Sequence, residues 1–101
     1  MTRFEVDGRE VRDKAGMLAA LADALSFPDW FGHNLDALHD CLIDLSWLPA
    51  GEIVLVWTHP EVLAEADPVA YRAIREVLTD VVEHFAAPGR ELTVVIEDLR
   101  A

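Results

Sequence analysis

The chain has 101 residues, 52% of them hydrophobic, so it can close one core without metal or disulfide staples and is too apolar for a disordered tail. A formal charge of −11 disfavours nucleic acids and anionic membranes as partners and favours a positively charged protein. Cys41 is the one cysteine, and neither a membrane-length apolar run nor a basic-then-apolar leader is present, so a cytoplasmic protein without disulfides is expected. Residues 1–101 read as one domain, with no repeat and no linker-like shift in composition.

Phe4 and Val6 alternate within residues 3–7, which predicts a short strand near a sheet edge, closed by an Asp7-Gly8 turn. Asp13 is placed to cap a helix whose apolar face is Leu18, Leu21, Ala22 and Leu25 and which stops before Pro28. Residues 28–32 form a loop carrying Trp30 and Phe31. Asn34 then caps a second helix running to about Leu45. Ile53 to Trp57 is a continuous β-rich run, which predicts a strand covered on both faces. His59-Pro60 opens a short helical turn, and Asp67-Pro68 opens a longer helix. Its face is Tyr71, Ile74, Leu78, Val81, Val82 and Phe85, and it ends at Pro88-Gly89. Leu92 to Ile96 is the last strand. This β-α-α-β-α-α-β order predicts an α/β fold in two layers. Its three-stranded parallel sheet, order 1-2-3, is packed by about four helices, with the second strand central.

The second helix is chemically unusual. Leu35, Leu38, Leu42 and Leu45 share one face, and Asp36, Asp40 and Asp44 stack on the other at four-residue spacing. Like charges at that spacing destabilise a helix by about 0.2–0.5 kcal/mol per pair. No lysine or arginine lies between Lys14 and Arg72 to offset them. Stability alone would place a cation in that window. Its absence points to cations supplied by another molecule.

Enzyme chemistry finds little support. His33 and His39 are six apart, not the i, i+4 pair of a zinc-binding helix, and no nucleophile-base or phosphate-loop signature is present. No catalytic residue, metal site or cofactor is therefore expected. Cys41 reads as a packed thiol, Trp47 and Trp57 as packing residues. Trp30 is compatible with either the core or an interface.

The segment Phe27-Pro28-Asp29-Trp30-Phe31-Gly32-His33-Asn34-Leu35-Asp36-Ala37-Leu38-His39-Asp40-Cys41-Leu42 resembles the central segment of the barstar family. Val6-Asp7-Gly8 and Leu92 to Ile96 extend the likeness towards both ends. The resemblance implies inhibition of a secreted, guanyl-preferring microbial ribonuclease in a 1:1 complex, by filling the cleft where RNA phosphates lie. It implies that Asp36 and Asp40 are the principal inhibitory carboxylates and that Trp30 packs on the enzyme's catalytic histidine. Gly32, Asn34 and Leu35 match contact positions. Glu83 matches a supporting acid, in a register that a one-residue shift would pass to His84. His39 stands where the family usually has tryptophan, and Asp44 lies at the departing helix end that borders the interface. These departures bear on which basic enzyme is bound. The alternative is a barstar-fold immunity protein or binding module for another basic protein, a nuclease toxin or a non-nuclease partner.

Overall fold

Short acceptor side chains start four of the five helical segments. Asp7 accepts from the Arg9 N–H, Asp13 from Gly16 at 2.6 Å, Asn34 from Ala37 at 2.8 Å and Asp67 from Ala70 at 3.1 Å. Each satisfies an amide that the first helical turn leaves unpaired. A computed structural model describes residues 1–85 and 87–98. In chain order it shows β1 (Thr2–Asp7), a 3-10 turn (Gly8–Glu10), α1 (Lys14–Ala24) and α2 (Leu35–Asp44). There follow β2 (Gly51–Thr58), α3 (Pro60–Ala66), α4 (Pro68–His84) and β3 (Arg90–Glu97).

The three strands form one parallel sheet in the order β1-β2-β3, as expected. Register sets Phe4 beside Leu55, Val6 beside Trp57, and Leu55 beside Val94. All four helices send buried side chains, among them Leu18, Leu38, Leu63 and Ile74, into one core with Ile53, Leu55 and Trp57. That core lies on a single face of the sheet. β2 is largely buried on both faces, as expected, although the core lies on one of them only. Val56 is 2% exposed yet lies outside the core, on the face it shares by register with Glu5 and Val95. A central strand gains such cover from its two neighbours, without a second layer of helices.

A correction concerns α4, which ends at His84 instead of Pro88-Gly89. Tyr71, Ile74, Leu78 and Val81 pack as expected, but Val82 is 42% and Phe85 46% exposed. Val82 lies on the flank turned to β3, and Phe85 follows the last helical turn. Among the described residues no helix is long and apolar enough to cross a membrane.

Candidate partner-binding surface

The loop ahead of α2 divides its two aromatics. Phe31 is 6% exposed, with its ring 4.8 Å from that of Phe27. Trp30 is 60% exposed. Anchoring one ring thus turns its neighbour outward. The Phe31 N–H donates to the Pro28 carbonyl at 3.0 Å, and the Asn34 amide donates to the Gly32 carbonyl at 3.3 Å. His33 holds the left-handed conformation at φ 50°, which turns the chain into α2. A β-carbon on Gly32 would lie 3.1 Å from Asn34 Nδ2, tight against the side chain that caps the helix.

On α2, Leu38, Cys41 and Leu42 are buried, Asp36 and Asp40 are exposed, and Asp44 is half-buried. Among the described residues, no hydrogen bond or ion pair reaches any of these three carboxylates. Asp36 lies in the first turn, where the helix dipole favours a negative charge. Asp40 and Asp44 lack that compensation. Their field is felt inside the protein. The Cys41 thiol is pushed up from 9.0 to about 11, first by burial and then by the Asp40 and Asp44 carboxylates.

His39 turns away from the acidic stripe towards α4. Its Nε2 lies 3.2 Å from Asp80 Oδ2, and its ring meets Phe85 edge-on with centroids 4.8 Å apart. Leu35 shares this seam, with Glu76 and Asp80 on the α4 side. Sequence reasoning did not find Asp80, because the pair is separated by 41 residues and no local pattern marks it. Glu83 is exposed and lines a groove between α4 and β3 with Arg75, Thr79 and Val94, while His84 Nε2 lies 3.9 Å from its carboxylate. The α4 acid that bonds to α2 is thus Asp80, with Glu76 in the same seam. Trp30, Gly32, Asn34, Leu35, Asp36, Asp40 and Asp44 all come from one continuous loop and helix.

The arrangement offers carboxylates to a cationic surface on a capped, rigid helix. It contains no group of three or more His, Cys, Asp or Glu residues able to hold a metal ion, among the described residues.

A family model described as Barstar (barnase inhibitor) matches residues 1–97. The chain is also similar to a curated protein of Bacillus subtilis (strain 168) named "Putative ribonuclease inhibitor YrdF". The two are 43% identical over 49 residues, which make up 48% of this chain and 54% of that protein. The chain spans about half the length of the curated relative it matches. The family match covers both outer strands and the whole acidic helix, and the parallel sheet agrees with it: this chain belongs to the barstar family.

Proposed function

We propose that this chain is a cytoplasmic inhibitor of a basic, secreted, guanyl-preferring microbial ribonuclease, and that α2 fills the enzyme's active-site cleft in place of RNA. One observation carries the reading: Asp36 and Asp40 are exposed on a capped helix, and among the described residues no cation pairs with either. In the complex Asp40 stands in for a phosphate, accepting short charge-assisted hydrogen bonds from the enzyme's arginines. Asp36 adds a second carboxylate one turn away. Trp30 supplies apolar contact beside them, and Gly32, Asn34 and Leu35 shape the approach of the loop. His39, Asp44 and Glu83 lie towards the margin. The role requires no catalytic group and no cofactor. Because α2 is already ordered in the free chain, little conformational freedom is lost on binding.

The test is a titration of barnase and other basic microbial ribonucleases with this chain, following RNA cleavage. Activity of at least one enzyme should fall linearly to an endpoint at one chain per enzyme. Absence of inhibition across the panel at micromolar chain would contradict the reading. A nuclease toxin inhibited on the same surface would identify the chain as an immunity protein.

A further inference from the structure

Phe85 lies 49 positions beyond Asp36 in the chain, yet the fold brings it to the edge of the same surface. Its main chain is fixed where α4 ends. The Phe85 N–H donates to the Val81 carbonyl at 3.1 Å, and the backbone there becomes extended at φ −132° and ψ 155°. The ring is half-exposed and meets the His39 ring at an interplanar angle of 86°. His39 is held in turn by Asp80. A phenyl ring left in water with its orientation already set is prepared for contact.

One exposed aromatic is ordinary on a protein surface. Two features give this one a ligand. It is continuous with the acidic helix through His39, and the carboxylates of Asp80 and Glu83 stand on the same end of α4. An aromatic face beside carboxylates is receptor chemistry for a guanidinium, through cation–π attraction and charge-assisted hydrogen bonds.

We infer that Phe85, braced by His39 and Asp80, is a second aromatic anchor of the inhibitory surface and takes an arginine side chain of the basic ribonuclease. The inference rests on the function proposed above and extends the contact from α2 onto the end of α4. Phe85 then helps to determine which ribonuclease is held, while the aspartates govern how fast it is captured.

Binding kinetics of the full chain on catalytically disabled barnase and a panel of basic microbial ribonucleases test this. On the enzymes that the parent binds, Phe85→Ala should raise the dissociation rate about five-fold. Association and its salt dependence should stay unchanged, because the ring carries no charge. Phe85→Tyr should behave as the parent, and Phe85→Leu, which keeps an apolar side chain without a π face, should dissociate as fast as Phe85→Ala. Melting temperatures establish that each variant is folded. Unchanged dissociation of Phe85→Ala on every enzyme, or parental dissociation of Phe85→Leu, would overturn the inference. If Asp40→Ala abolishes binding while Phe85→Ala does not affect it, only the anchor is lost. Binding that is indifferent to Asp40→Ala, or absent from the whole panel, overturns the underlying function instead.

Discussion

Trp30 and Phe31 are adjacent, yet their environments are opposite, and the difference assigns them different work. Phe31 is locked against Phe27 and His33, whereas Trp30 projects from the loop that enters α2. Trp30→Ala should therefore change stability by no more than about 0.5 kcal/mol, as expected of an exposed site. It should weaken ribonuclease inhibition by about 1 kcal/mol or more. Thermal melts and inhibition constants on the same samples check both halves. Cys41 behaves in the opposite way. Burial and the neighbouring aspartates raise its folded pKa to about 11, so folding favours the neutral thiol. An unfolded chain loses that proton near pH 9.0. Between these values the unfolded state binds fewer protons, so stability should fall as pH rises from about 9 to about 11. Below that window this contribution is fully present. Cys41→Ala should flatten the decline, measured as denaturation midpoint against pH. The native thiol should also resist alkylation near neutral pH until the chain unfolds.

Single elements were largely legible because their signals are local. Asp13, Asn34 and Asp67 each stand directly before the helix they cap, and all three make the expected hydrogen bond. Phe4 and Val6 share the core face of β1 as their alternation requires. What was not legible depends on where elements meet. The clasp of His39 on Asp80 joins α2 to α4 across 41 residues, and nothing in either helix announces it. Counting helical periodicity past His84 put Phe85 on the buried face, although the last turn had already ended. The turn after β1 shows the same limit. Asp7-Gly8 reads as a simple reversal, but Gly8 is pressed against the end of β2. A β-carbon there would lie 2.5 Å from the Thr58 carbonyl oxygen and 2.7 Å from that of His59. Both neighbours are backbone and cannot swing aside. Gly8→Ala should accordingly destabilise the fold by about 1–3 kcal/mol through overpacking. A chemical denaturation midpoint unchanged from the parent would show that the 3-10 turn gives way freely.

For the molecule as a whole, the charge of −11 is unevenly arranged, and the arrangement connects fold to function. The window from Lys14 to Arg72 contains α2 and no lysine or arginine between its ends. Asp40 there has like charges one turn away on both sides, and among the described residues no ion pair reaches any of the three. Removing it relieves two repulsive pairs and introduces a better helix former, a gain of a few tenths of a kcal/mol on the order of known helix effects. In a complex the same change leaves partner arginines buried without a counter-charge. Such truncations cost about 2–5 kcal/mol or more, a range for which barnase–barstar is itself a type case. A surface destabilising in isolation and required in the complex is the mark of a binding site. The most direct test is to compare Asp40→Ala with the parent in two assays on one preparation, thermal melting of the free chain and inhibition of a ribonuclease that the parent inhibits. The melting temperature should hold or rise while inhibition falls at least about ten-fold. A clear loss of stability, or inhibition as strong as the parent's, would contradict the role proposed for Asp40.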